Sequence, residues 1–64
     1  MNVIAKYRKA KGYSQVELAK LIGVTQTTVT HWETGKVSPR GSNLMELSRV
    51  LEVSPLEILE RRGA

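Results

Sequence analysis

The apolar residues of this chain recur at the three- and four-residue spacing of helices, and two of the predicted helices lie at its centre. The earlier one begins at about Gln15, because Ser14 and Glu17 stand in the S-x-x-E relation of a capping box. Three apolar residues share its inner face: Leu18, Ala19 and Ile22. Gly23 can take a positive φ and end this helix, and Thr25 is a candidate N-cap for the next. The pattern therefore predicts two helices and a tight turn over about residues 14–34.

The later of these two helices has two unlike faces. Val29, Trp32 and Glu33 share one side, and uncharged polar residues lie roughly opposite: Thr27, Thr30, His31 and Thr34. A surface helix more often carries Lys, Glu, Gln or Ala at such positions, since these residues favour a helix more than Thr does. Short hydrogen-bonding side chains can reach base edges, and Thr methyls can touch thymine methyls. The alternative is a solvated face whose threonines have no function.

Another helix is predicted before this pair, over residues 2–11. Asn2 can cap it and Gly12 ends it. Three residues share its inner face: Ile4, Tyr7 and Arg8. Lys6 and Lys9 are expected in solvent.

Two short helices are predicted after a loop of residues 36–42. The fourth covers about residues 43–51, with Asn43 and Glu46 in capping relation. Its inward residues are spaced three and four apart: Leu44, Leu47 and Leu51. Val53 leads into the fifth helix.

The fifth helix has its own start signals. Ser54 caps it, Pro55 takes the first helical position, and Glu57 completes a second capping box. Ile58 and Leu59 are expected to close the core.

Length and composition exclude several classes of protein. The 64 residues predict a single domain, near the lower size limit for independent folding, with no room for a large catalytic cleft. The absence of cysteine excludes disulfides and thiolate metal sites, and fits a reducing cytoplasm. No apolar run approaches the roughly 20 residues of a membrane span, and the chain does not begin with a signal peptide. Met1 stands almost at the first helix, which we interpret as a native start.

Positive charge is concentrated in the half that carries the central helices. The net charge is +4. Residues 1–40 hold seven basic and two acidic residues, or +5, and residues 41–64 hold three and four, or −1. This asymmetry is what binding of a phosphate backbone requires.

The central run resembles a known family. It reads Ser14-Gln15-x-x-Leu18-Ala19-x-x-Ile22-Gly23-Val24-Thr25-x-x-x-Val29-x-x-Trp32-Glu33-x-Gly35-Lys36. It is similar to the helix-turn-helix of the phage repressor and Cro type, also called the xenobiotic-response-element type, and the likeness extends over about residues 4–59. The resemblance implies an all-α, compact five-helix, lambda-repressor-like DNA-binding domain over residues 1–64, with the helix-turn-helix at helices 2 and 3. Ala19 fits this geometry, because two helices that cross steeply after a short turn need a small side chain where they meet.

Four residues are predicted to contact bases in the major groove of double-stranded DNA: Gln26, Thr27, Thr30 and His31. Gln26 suits a bidentate contact with adenine N6 and N7. His31 is the only histidine, and no cysteine could join it, so a metal site or a general base is not expected. A hydrogen bond to a base or a phosphate, or a solvated imidazole, remains open for it.

Four residues are predicted to contact phosphates: Gln15, Thr25, Lys36 and Arg40. Gln15 stands at the positive end of a helix dipole. In the family that this chain resembles, the loop after the recognition helix runs along the sugar-phosphate backbone, and Pro39 matches a family proline there.

Arg8 is the only charged residue on the inner face of the first helix. An unpaired buried guanidinium would cost much free energy, so Arg8 needs an acidic partner. Glu33 is the only carboxylate on the inner side of the following helices. We therefore predict an Arg8–Glu33 pair, as similar proteins pair these positions. In the alternative both side chains lie in water, where the pair would contribute under about 1 kcal/mol.

Three apolar residues fall off the best inward faces: Met45, Val50 and Leu56. Since a single helix-turn-helix domain contacts few base pairs, we expect a homodimer on a palindromic site. Its interface is expected in the helix 4 to 5 region, including Leu56 and Arg61.

The sequence therefore predicts a transcriptional regulator, most simply a repressor in the cytoplasm, encoded by a bacterium or a phage. The alternative is a protein-interaction module, such as an antitoxin or phage accessory factor with secondary DNA binding. No enzyme, cofactor, metal or small-molecule ligand is expected, because the chain has no carboxylate pair in a predicted cleft, no activated nucleophile and no glycine-rich phosphate loop.

Overall fold

A computed structural model describes residues 3–59 of the chain. Five helices follow one another, and no strand occurs between residues 3 and 59. They are α1 (Val3–Ala10), α2 (Gln15–Ile22), α3 (Gln26–Thr34), α4 (Gly41–Leu51) and α5 (Pro55–Leu59). The predicted all-α, five-helix architecture is confirmed. The predicted cap Asn2 lies outside the described residues, as does Arg61.

The core is formed by one or two residues from the inner face of each helix. Its fully buried members are Ile4, Leu18, Ala19, Val29, Trp32, Leu47, Leu51 and Ile58. Leu18 of α2 and Val29 of α3 have no exposed surface, so both helices contribute side chains to the centre of the core. Small domains bury a limited apolar area, and each of these side chains accounts for a sizeable share of it.

The start of α2 and the turn into α3 are fixed by local hydrogen bonds. Ser14 Oγ accepts from the Glu17 N–H at 3.0 Å, and Glu17 Oε1 accepts from the Ser14 N–H at 2.8 Å, which completes the predicted capping box. Gly23 has a φ of 93°, and its N–H donates to Ala19 O at 2.8 Å. Thr25 caps α3 by accepting from the Thr28 N–H at 3.2 Å. The predicted two-helix unit is therefore present, and its turn is held at both ends.

The prediction for the start of α4 was wrong. The helix begins at Gly41 rather than at about residue 43, so Asn43 lies inside it and does not form a cap with Glu46. Arg40 occupies the N-cap position without a side-chain cap hydrogen bond. Gly41 has a φ of 58°, which lets the chain turn directly into the helix without an Asn cap.

Two predictions for α5 also need correction. Ser54 Oγ accepts from the Glu57 N–H at 3.4 Å, but Glu57 Oε1 accepts from the Tyr7 O–H at 2.9 Å, so the second capping box does not form and α5 is tied to α1. Ile58 is buried as predicted, whereas Leu59 is 45% exposed. Neighbouring residues of a short helix point in different directions, so only one of the two can face the core.

Of the three residues placed off the inward faces, Met45 and Leu56 are exposed. Val50 is half-buried and packs against the core, contrary to the prediction. An ion pair between Lys11 Nζ and Glu52 Oε1, at 2.8 Å, joins the end of α1 to the end of α4.

Candidate nucleic-acid interface

The N-terminal ends of α2 and α3 meet at a set of polar side chains. Gln26 Nε2 donates to Gln15 Oε1 at 3.2 Å, and Thr30 Oγ1 donates to the same oxygen at 3.2 Å. Gln26 and Thr27 are exposed, and Thr30 and His31 are half-buried. The outer face of α3 therefore presents all four predicted base-contacting residues, two of which are joined to Gln15.

The direction of these hydrogen bonds is set by Glu33. Gln15 Nε2 donates to Glu33 Oε1 at 2.9 Å. A carboxylate can only accept, so the amide of Gln15 must turn its nitrogen towards Glu33 and its oxygen towards Gln26 and Thr30. The orientation of the Gln15 amide thus follows from its neighbours.

Glu33 itself is held by Arg8. The Arg8 Nε donates to Glu33 Oε2, and Nη2 donates to Oε1 at 3.1 Å. The Arg8 Nη1 also donates to the backbone oxygen of Tyr13 at 2.9 Å. The two side chains are only 10% and 8% exposed, so the structure brings the predicted partners together as a largely buried, two-pronged pair.

The surroundings of Glu33 favour its ionised form. Burial alone would raise the pKa of this carboxyl. The hydrogen bonds from Arg8 and Gln15, together with the positive charges of Arg8 and Lys9, outweigh burial and hold its pKa below the ordinary value. Glu33 is therefore a carboxylate at neutral pH and an acceptor only.

The predicted phosphate contacts lie on both sides of this cluster. Thr25 is exposed at the start of α3, and its Oγ1 lies 3.0 Å from Thr28 Oγ1. Lys36 and Arg40 are exposed in the loop after α3, and neither forms an ion pair with another residue in the 3–59 range. Both border an open groove of about 570 Å³ whose lining includes Leu44 and Leu59.

One role of Gln15 was not predicted from the sequence. Gln15 was predicted as a phosphate contact alone, whereas its side chain also ties α2 to Glu33 and Thr30 of α3. The partners are 18 and 15 residues away, so no local spacing rule could have found them. The Thr25–Thr28 contact, by contrast, follows from a three-residue spacing that the sequence does display.

The profile of the helix-turn-helix family matches residues 4–58. The chain belongs to this family. Two curated relatives are the HTH-type transcriptional regulator DicA of Escherichia coli (strain K12), 42% identical over 52 residues, and the Repressor protein C2 of Salmonella phage P22, 36% identical over 53 residues. These alignments cover 81% and 83% of this chain but only 38% and 24% of the relatives. The chain therefore spans well under half of either relative.

A solved structure supports the same family at the level of the fold. The solution structure of the DNA-binding domain of the P22 C2 repressor matches with a TM-score of 0.82 and 35% identity, over 89% of this chain and 75% of that one. The predicted phage-repressor type of helix-turn-helix is confirmed. The two relatives bear the names of a transcriptional regulator and a repressor.

The described residues contain neither a metal-binding group of side chains nor a membrane-spanning helix. Between residues 3 and 59, no three His, Asp or Glu side chains are grouped so that they could hold a metal ion. No helix in the described part of the chain is long and apolar enough to cross a membrane.

Proposed function

We propose that this chain is a sequence-specific regulator of transcription, most simply a repressor, that binds a palindromic operator in double-stranded DNA as a homodimer. The observation that carries the proposal is the outer face of α3, where uncharged hydrogen-bonding side chains are followed in the next loop by exposed Lys36 and Arg40, which have no ion-pair partners in the described chain. Binding of DNA by the P22 relative's domain agrees with this assignment. We further propose that residues 1–64 act as one domain in the cytoplasm.

Gln26 has the groups that adenine recognition requires. After donating one N–H to Gln15, its amide keeps a second N–H and its carbonyl oxygen. These can pair with adenine N7 and N6 in the major groove. Thr27 and His31 extend the contact along the groove, and such contacts carry the sequence information.

Gln15 is suited to a phosphate as well as to its internal role. Its amide donates one N–H to Glu33 and keeps the other. Its backbone N–H, in the first turn of α2, has no acceptor within the described chain. Thr25, Lys36 and Arg40 add further contacts to the sugar-phosphate backbone, which fix the register of the protein on the duplex.

A selection of bound sites from random duplex DNA at physiological salt tests the proposal. The expected product is a palindrome with half-sites about 10 base pairs apart, roughly 34 Å. Gln26→Ala should relax one base position per half-site, whereas Lys36→Ala should weaken all sequences alike. If the wild-type chain binds no duplex of any sequence even at low ionic strength, the proposal is wrong.

A further inference from the structure

A line of hydrogen bonds runs from the core to the outer face of α3. Arg8 donates to Glu33, Gln15 donates to Glu33, and Thr30 donates to Gln15. Each direction is forced by chemistry. A carboxylate and an amide oxygen can only accept, so the hydrogen between Thr30 Oγ1 and Gln15 Oε1 must belong to Thr30.

Both lone pairs of Gln15 Oε1 accept hydrogen bonds within the protein. A carbonyl oxygen has two lone pairs, and here one faces Gln26 Nε2 and the other faces the Thr30 hydroxyl, both at 3.2 Å. The Thr30 hydroxyl has a single proton, and that proton is committed to Gln15. Towards the major groove, Thr30 offers lone pairs and no donor.

The four bases differ in what they show to such an acceptor. Adenine N6 and cytosine N4 are amino donors, whereas guanine O6 and N7 and thymine O4 are acceptors. A freely rotating hydroxyl can face either kind of atom, because its hydrogen turns to suit the partner. A hydroxyl whose proton is already committed can pair only with an amino group.

We propose that Thr30 selects an amino base, adenine or cytosine, at its position in the operator because Gln15 holds its hydroxyl proton. This inference rests on the proposed binding of double-stranded DNA. Gln15 acts as the positioning residue, and Glu33 acts behind it by fixing which end of the Gln15 amide faces Thr30. Thr27 supplies an internal contrast, since it is exposed on the same helix and its hydroxyl has no hydrogen-bond partner in the described chain.

Site selection with four proteins tests the proposal: the wild type, Thr30→Val, Gln15→Met and the control Thr27→Val. One base position of the operator should lose its preference in Thr30→Val. At that position the wild type should favour adenine or cytosine over guanine and thymine by roughly 5-fold to 150-fold. Gln15→Met frees the Thr30 proton, so guanine and thymine should become acceptable at that position. Gln15→Met should also alter the position read by Gln26, and Thr27→Val should leave the Thr30 position unchanged.

A second measurement changes the DNA, and the wild-type protein is used unaltered. The amino base of the selected operator is replaced by an analogue that lacks the amino group, purine for adenine or 2-pyrimidinone for cytosine. The wild type should lose at least about fivefold in affinity, and Thr30→Val should lose none. The proposal is overturned if the Thr30 position selects guanine or thymine, if Gln15→Met leaves its preference unchanged, or if the analogue binds as well as the natural base. Each of these outcomes presupposes a selected operator, so each is distinct from a failure to bind DNA at all.

Discussion

Glu33 connects the stability of the domain to the geometry of its outer face. Its carboxylate accepts two hydrogen bonds from Arg8 and one from Gln15, and it is 8% exposed. Gln15 in turn holds Gln26 and Thr30. A single side chain therefore stabilises the packing of α1 on α3 and orients two residues of the proposed reading face.

Removal of Arg8 alone should be strongly destabilising, because it leaves the buried Glu33 charge without its main partner. We expect Arg8→Met to lower the free energy of unfolding by about 3–5 kcal/mol, a large fraction of the stability of so small a domain. The double variant Arg8→Met/Glu33→Met should recover much of the loss, since apolar residues of similar volume can replace a buried pair. Urea unfolding of both variants measures this. A double variant less stable than Arg8→Met would contradict the buried-pair interpretation.

Glu33 should also give the domain an acid-sensitive component of stability. Its pKa in the folded state is lowered, so its contribution is fully present above the unfolded pKa of about 4.3 and is lost as the pH falls through the folded value. Glu33→Gln lacks this titration, and its stability should fall less between pH 5 and pH 2 than that of the wild type. The control is Glu46→Gln, whose side chain on α4 is 43% exposed, because this variant keeps Glu33 and so should keep the acid dependence that Glu33 causes. Thermal unfolding across this pH range provides the comparison.

At the scale of the helices, the α2–α3 unit depends on its caps. Ser14 and Glu17 satisfy each other's backbone N–H groups at the start of α2. Replacing Ser14 by Ala removes one acceptor, and we expect a loss of about 1 kcal/mol in the free energy of unfolding. Ser42→Ala, in the first turn of α4, is a matched control, because Ser42 is exposed and has no side-chain hydrogen bond in the described chain. Equal effects of the two substitutions would contradict the importance of the cap.

The caps also explain which helices could be predicted from the sequence. The starts of α2 and α3 follow from partners three residues apart, so local spacing was sufficient. Glu57 has the same local signal, yet its carboxylate is bound by Tyr7, 50 residues earlier in the chain. The start of α4 could not be predicted in this way, because the helix begins at Gly41 and its N-cap, Arg40, makes no side-chain cap hydrogen bond.

The candidate site, too, could be predicted from the sequence only in part. Helical periodicity places Gln26, Thr27, Thr30 and His31 away from the buried Val29, and in the structure the first two are exposed and the last two half-buried. The orientation of the Gln15 amide depends on Glu33, which a different helix brings into place. Spacing along the chain can name the residues of such a cluster, but the directions of their hydrogen bonds depend on the packed fold.

At the scale of the whole molecule, the described chain has an apolar surface that its own core does not use. Leu56 is 79% exposed and Met45 is 59% exposed, on α5 and α4 respectively. Leu59, which is 45% exposed, lines the groove that Lys36 and Arg40 border. Leu56 and Leu59 stand three residues apart on α5 and so share one side of that helix, which is where the proposed second subunit is expected.

The proposed homodimer predicts a specific effect of Leu56→Ser. Because Leu56 makes little contact with its own core, the substitution should change the free energy of unfolding by no more than about 0.5 kcal/mol. It should nevertheless weaken binding to a full palindrome while leaving binding to an isolated half-site unchanged, since only the full site uses the contact between subunits. Leu21→Ser is the matched control, because Leu21 is 48% exposed and lies on α2, outside the region predicted for the interface. Titrations of both duplexes at several protein concentrations separate the two effects, and equal losses on the half-site and the palindrome would place Leu56 outside the interface.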